Sequence, residues 1–268
     1  MILRLPRGYR RLTDVSPLAV AHEQYAEVIA GIRSTGTLYD WAAAHPERRE
    51  YSGRGPVWSA PLPNGGPRVV VRHARRGGLL AHFVRDLYIP PTPAFSEVLI
   101  ASLLARSGVP TPTVIAFATY RAAGVLRRVD VMSLEVNGLD LAATLATHPT
   151  VEARAQIQRA LARLFGAMLD AGAWHQDLNA KNILISTDAQ GQCQAVVLDV
   201  DRVRFVPAGD PHMGAANMDR LKHSMDKFRA RGAPALTHEE LAEVETLIGS
   251  QELSRAQERA TALEGYMP

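Results

Sequence analysis

The sequence predicts an α+β chain in two lobes: an antiparallel five-stranded sheet with one main helix, then a mostly helical lobe. Three observations carry this. Apolar runs of strand length, divided by Gly/Pro turns, fill the first half from residue 49 onward. Beyond Asn137-Gly138 the apolar spacing becomes helical. Two short apolar runs, NILIS and QAVVLDV, then stand between helical stretches. At 268 residues and 47% hydrophobic, the chain can bury one large core or two modest ones.

Taken in order, residues 16–44 read as mainly helical, with Tyr25, Val28, Ile29 and Ile32 at helical spacing. Residues 1–50 are therefore expected to be a helical extension, 51–136 the sheet lobe and 137–268 the helical lobe. REYS, VWSAPL and PRVVVRH, separated by GRGP and PNGG, read as an antiparallel meander. AFSEVLIASLLARSG reads as the main helix, with Phe95, Leu99, Ser102, Leu103 and Arg106 along one side and Gly108 as its C-cap. VPTPTVIAFATYR and GVLRRVDVMSLEV supply two further strands. In the second lobe, Ile157, Leu161, Leu164 and Met168 form an apolar helical stripe flanked by Ala160, Phe165 and Leu169, and Gly172 closes that helix. MDRLKHSMDKF and a segment from Thr237, whose T-x-x-E pattern with Glu240 suits a capping box, complete the helices.

Composition excludes several classes. One cysteine, Cys193, rules out an intrachain disulfide and suits a reducing compartment. No run approaches the roughly 18 apolar residues of a membrane span, and arginines and Pro6 break the N-terminus, so no signal-peptide core is expected. A soluble or surface-bound protein is expected. The pI is about 9.2, but the net charge is only +3 and 27 acidic residues are mixed among the basic ones. With aromatics at 6% and no basic/aromatic alternation, a nucleic-acid partner is not expected. Lysine is confined to Lys181, Lys222 and Lys227; the other 27 basic residues are arginine.

The chemistry concentrates in AWHQDLNAKNILIS, residues 173–186. His175-Gln176-Asp177-Leu178-x-x-x-Asn182 matches the catalytic-loop pattern of protein-kinase-like phosphotransferases. In that pattern the aspartate accepts the proton of an attacking hydroxyl, and the asparagine offers a neutral oxygen to Mg²⁺. Seventeen residues after Asn182, the apolar run AVVL ends in Asp199-Val200-Asp201. A carboxylate at the end of a buried strand is costly unless paired or bound to metal. A plain strand-end cap is the alternative for Asp199 alone, but the two motifs in this order favour a metal site. Upstream, Gly53 and Gly55 of GRG lie in a hairpin turn where backbone amides could approach ATP phosphates. Trp58 stands where a third glycine of such a loop would be. No lysine precedes Lys181, so Arg72 on PRVVVRH takes the place of a phosphate-gripping lysine, with Glu97 as its ion-pair partner.

These stretches resemble the lipopolysaccharide kinase family, the 3-deoxy-D-manno-octulosonic acid (Kdo) kinases, with their protein-kinase-like fold. The resemblance runs from about Gly53 to about Lys227, on GRGPVW, VVVRHARRGG, SEVLIASLLARSGVPTPTVIA, HQDLNAKNILI, LDVDR and NMDRLKHSMDKF. R-H-x-x-R-G-G is its most specific part. Val200 stands where the family carries an aromatic between the two aspartates. The resemblance implies Asp177 as base, Asn182 and Asp199 as Mg²⁺ ligands, Arg72 with Glu97 on the phosphates, and Asp201 near a second metal. It also implies that Ser133, Leu134, Glu135 and Val136 receive adenine through backbone groups. Gln176 replaces the arginine that reads a phosphorylated activation loop in regulated protein kinases.

Implied activity is ATP- and Mg²⁺-dependent transfer to the 4-hydroxyl of Kdo on a lipid A precursor, at the cytoplasmic face of a bacterial inner membrane. Arg75, Arg76 and Arg85, around Gly77-Gly78, would receive acidic groups of that acceptor or of an anionic membrane surface. A solvated basic surface is the plain alternative. Two rival readings stay open at the level of sequence: an aminoglycoside- or choline-type kinase, and a pseudokinase scaffold that binds nucleotide without transfer.

Overall fold

The computed structural model describes residues 4–13, 18–51, 55–74, 87–88, 94–122, 124–187 and 190–264, with side chains described as far as residue 251. The chain divides into two compact units, one of residues 1–103 with 112–136, the other of 104–111 with 137–268.

In the first unit, strands β1 (Tyr9–Leu12), β2 (Ala19–His22), β3 (Arg49–Tyr51), β4 (Val57–Pro61), β5 (Arg68–His73), β6 (Val114–Arg121) and β7 (Arg127–Leu134) make one sheet in the order β1-β2-β6-β7-β5-β4-β3. Every neighbouring pair in it is antiparallel. The expected five strands are β3 to β7, and the expectation of five is corrected to seven. The helical extension expected over residues 1–50 is corrected with it, because that segment also holds β1 and β2. AVAH is too short for its period to separate strand from helix. Its partner decides: Ala19, Val20 and Ala21 pair with Ala118, Phe117 and Ala116 of β6.

Helices α1 (Ala26–Thr35) and α2 (Leu38–Ala44) bury Ala26, Ile29, Ile32, Leu38 and Ala42 in one cluster with Val69 and Val71 of β5 and Met132 of β7. Side chains alternate across a strand, so the face of β5 that carries Val69 and Val71 meets α2. Arg72 belongs to the other face, with helix α3 (Ala94–Arg106). The buried side of α3 is Ala94, Glu97, Val98, Ala101 and Leu104. Leu103, placed with Phe95 and Leu99 by the sequence spacing, is exposed. Gly108 ends the helix in the left-handed region (φ 76°), and the Val109 amide reaches back to the Leu104 carbonyl (2.9 Å), a Schellman closure.

The second unit is built on α5 (Val151–Asp170), whose predicted stripe is buried throughout. The stripe is covered by α6 (Pro211–Ala230), α7 (His238–Glu264) and strand β11 (Cys193–Val197). β11 pairs with β10 (Ile183–Thr187), which pairs with β8 (Leu139–Asp140) at the head of the short helix α4 (Leu141–Ala146). β9 (Ala173–His175) pairs with β12 (Val203–Phe205). Gly172, just after α5, has φ 65°, and a Cβ there would meet the Val206 carbonyl oxygen at 2.1 Å, so only glycine fits. At α7 the predicted capping box is formed: the Thr237 amide donates to Glu240 Oε2 (2.7 Å) and the Glu240 amide to Thr237 Oγ1 (3.2 Å). Arg154 of α5 forks onto the same carboxylate at 2.5 and 2.6 Å, which holds the Glu240 carboxyl below its ordinary range.

Candidate active site

The loop between β9 and β10 is fixed from below by buried polar groups. His175 is fully buried at the end of β9. Its Nδ1 accepts the Asp177 amide (3.1 Å), so the ring proton sits on Nε2, which donates to the Leu198 carbonyl (3.0 Å). Burial pushes the His175 pKa down, against the opposing pull of the Leu198 carbonyl, Asp199 and Asp177. Asn217 of α6, also buried, accepts the His175 amide (3.0 Å) and donates to the Ala173 carbonyl (2.9 Å). Ser224, two helical turns farther along α6, accepts the Ala180 amide (3.2 Å).

On this base stand the predicted residues of the second unit. Asn182 ends a 3-10 turn, Ala180–Asn182, directly before β10. Its Nδ2 donates to the Asp177 carbonyl at 2.7 Å, which leaves its Oδ1 as the oxygen for a cation. The Asn182 carbonyl accepts the Leu198 amide (2.9 Å), so Asn182 and the residue before Asp199 are joined by backbone. Asp199 has left-handed dihedrals, φ 55° and ψ 47°. For a non-glycine residue that conformation costs about 1–2 kcal/mol, and such strain persists where the surroundings impose it, often at functional sites. Asp201 lies in the following 3-10 turn, Val200–Arg202, with Val200 buried beneath it. Among the described residues no three His, Cys, Asp or Glu side chains form a metal cluster. An amide oxygen plus carboxylate is instead the hard-oxygen, partial donor set that suits Mg²⁺ completed by phosphate and water.

In the first unit Arg72 meets Glu97 at 2.5 Å. Glu97 is buried (8% of its side chain accessible), while Arg72 keeps 30%, enough to reach a further anion. Gly55 precedes β4, and Gly53 lies outside the described residues, as do Arg75, Arg76 and Arg85. Part of the segment expected to receive adenine carries backbone bonds of its own. Ser133 is paired within the sheet on both sides, the Leu134 amide donates to the Thr113 carbonyl (2.8 Å) and the Glu135 amide to the Arg68 carbonyl (3.0 Å). The Glu135 carboxylate is held by Arg68 Nε (2.9 Å) and the Tyr51 hydroxyl. Val136 is the one of the four whose backbone enters none of these bonds.

With the candidate residues of each unit described, comparison with known proteins is decisive. The model of the Lipopolysaccharide kinase (Kdo/WaaP) family matches residues 41–246 of the 268. The chain belongs to the lipopolysaccharide kinase (Kdo/WaaP) family. Relatives named 3-deoxy-D-manno-octulosonic acid kinase include one from Vibrio vulnificus (strain YJ016), 32% identical over 71% of this chain and 78% of the relative. Another, from Xanthomonas campestris pv. campestris (strain B100), is 32% identical over 82% and 84% respectively. Among solved structures, WaaP in complex with acyl carrier protein matches 89% of this chain and 97% of its own, with TM-score 0.53 and 16% identity. That likeness shows a protein-kinase-like fold.

In this lipopolysaccharide kinase chain, sequence reasoning missed the residues that hold the loop: Asn179, Asn217 and Ser224. Asn179 stands inside the recognised motif and was the one within reach of it. Asn217 and Ser224 lie in the NMDRLKHSMDKF stretch that carries part of the resemblance, but 40 or more residues away on α6 (42 to His175 and 44 to Ala180), so nothing in the spacing tied them to the loop.

Proposed function

We propose that this family member transfers the γ-phosphoryl group of ATP, with Mg²⁺, to the 4-hydroxyl of Kdo on a lipid A precursor, working at the cytoplasmic face of a bacterial inner membrane. The observation that carries the reading is the Asn182 Nδ2 bond to the Asp177 carbonyl. It joins the residues read as base and cation ligand in one loop and leaves the Asn182 Oδ1 for the cation. The names of the relatives support the acceptor class.

In this reading Asp177 orients the acceptor hydroxyl and takes its proton as the oxygen attacks. Arg72, itself held by Glu97, grips phosphate oxygens with a planar fork that an ammonium would not reproduce. Asn182 and Asp199 hold Mg²⁺, which neutralises charge on the phosphates when bound. The segment Ser133 to Val136 receives adenine through the backbone groups that its own bonds leave open, those of Val136 among them. Asp201 lies near the metal, and Arg75, Arg76 and Arg85 take the acidic groups of the acceptor or of an anionic membrane. Among the described residues no helix is long and apolar enough to cross a membrane, in keeping with a peripheral enzyme that meets a membrane-held acceptor.

The test is transfer from labelled ATP to a panel of Kdo-bearing lipid A precursor, heptosylated core, aminoglycoside and protein. Label is expected on the Kdo precursor alone, with dependence on Mg²⁺. Asp177→Asn should lower turnover by about 10²–10⁴-fold with nucleotide affinity retained, whereas Arg72→Ala should weaken nucleotide binding itself. Label on another acceptor, or full turnover in Asp177→Asn, refutes the corresponding part.

A further inference from the structure

We propose that Asn179 is the positioning residue of the base, joining Asp177 and the Asn182 turn through the two ends of one amide. The inference rests on the reading of Asp177 as base. Asn179 Nδ2 lies 3.2 Å from Asp177 Oδ1 and 3.1 Å from the Asp177 carbonyl, and its Oδ1 accepts the Lys181 amide at 3.0 Å. The assignment of nitrogen and oxygen is self-consistent, because a carboxylate and a carbonyl need a donor and a backbone N–H needs an acceptor.

Each end has its own effect. The oxygen caps the 3-10 turn Ala180–Asn182, and the Asn182 amide closes that turn on the Asn179 carbonyl (2.9 Å). The turn places Asn182, whose own amide nitrogen bonds the Asp177 carbonyl. The nitrogen of Asn179 holds one carboxylate oxygen of Asp177, which restricts rotation of that carboxylate and sets the direction of its other oxygen. A freely rotating aspartate would have to be oriented during each turnover, and misplacement of a reacting group by about 1 Å costs on the order of 10²-fold in rate. A neutral side chain does this without adding charge beside the base. His175 fixes the same residue at its backbone, since its Nδ1 accepts the Asp177 amide.

Asn179→Asp separates the two ends, because it keeps an acceptor for the Lys181 amide and replaces the donor to Asp177 with a repelling oxygen. With MgATP and Kdo-bearing lipid A precursor, kcat is expected to fall on the order of 10²-fold, with KM for MgATP and the melting temperature unchanged. The deciding measurement is a double-mutant cycle with Asp177→Asn. A residue that acts through the Asp177 carboxylate costs nothing further once that carboxylate is gone. Equal losses in both backgrounds, or a fall in MgATP affinity as large as the fall in kcat, overturn the positioning role while leaving the base assignment standing. Full turnover in Asp177→Asn alone overturns both. Asn179→Ser, which keeps a short capping acceptor, reads the same cycle should the aspartate variant fold poorly.

Discussion

His175 shows how a single residue carries both stability and geometry. It is sealed among β9, the Leu198 segment and α6, with one ring nitrogen donating and the other accepting. Its pKa is lowered chiefly by burial. The sign follows directly. As pH falls below about 6.5, the ordinary imidazole value, the unfolded chain takes up a proton that the buried ring does not. The unfolded state then binds more protons and stability declines; above that pH both states are neutral and the contribution is flat. Urea midpoints between pH 5 and 7 should therefore fall on acidification. The slope should flatten in His175→Gln, since the remaining histidines titrate alike in both proteins. An unchanged slope would mean that His175 is protonated in the folded protein.

At the scale of elements, β5 carries two different tasks on its two faces. Arg72 turns to Glu97 of α3, while His73 turns to Asp130 of β7 (2.7 Å) and stacks on Tyr39 of α2, with ring centroids 3.7 Å apart. Asp130 is fully buried, and its second oxygen accepts the Tyr39 amide (3.0 Å) at the start of α2, where the Tyr120 hydroxyl accepts the Leu38 amide (2.8 Å). Asp130→Ala would strand the His73 ring and the Tyr39 amide, and each buried donor left without a partner costs about 1–3 kcal/mol. Asp130→Asn should cost much less, because an amide can accept from Tyr39 and donate to a neutral His73. Chemical denaturation of the two variants measures the difference, and equal losses would refute the hydrogen-bond account. The strands and the capping box of α7 were legible from period and turn residues. The buried side of α3 was not, because Phe95, Leu99 and Leu103 compete with Val98, Ala101 and Leu104 for the core. Only the tertiary packing chose between them, leaving Leu103 exposed.

For the molecule as a whole, the first fifty residues decide whether the Arg72 strand has a protected face. α1 and α2 bury Ile29, Ile32 and Leu38 in one cluster with Val69 and Val71 of β5, α2 lying against β5 itself. At about 1.5–3 kcal/mol for each large apolar side chain, this layer rivals the 5–15 kcal/mol that stabilises a typical domain. Deletion of residues 1–45 is therefore expected to give insoluble protein without nucleotide binding, not a trimmed enzyme. A soluble truncated protein that binds MgATP with wild-type affinity would show the segment to be an accessory.

By itself, the sequence determined the order of elements over most of the chain, the motif His175 to Asn182, the carboxylate at Asp199 and the Arg72–Glu97 pairing. These depend on spacing along one strand, helix or loop, or on a missing lysine that left few substitutes, and such information is local. Only the tertiary structure decided that β1 and β2 join the sheet, since a four-residue strand is selected by the partner edge it meets. It alone placed Asn217 and Ser224 under the loop and engaged the amides of Leu134 and Glu135, because those bonds join residues far apart in the chain. Asn179 stands between the two cases. Its position was in view from the start, but an asparagine in a turn has many partners to choose from. The folded loop chose the carboxylate of Asp177.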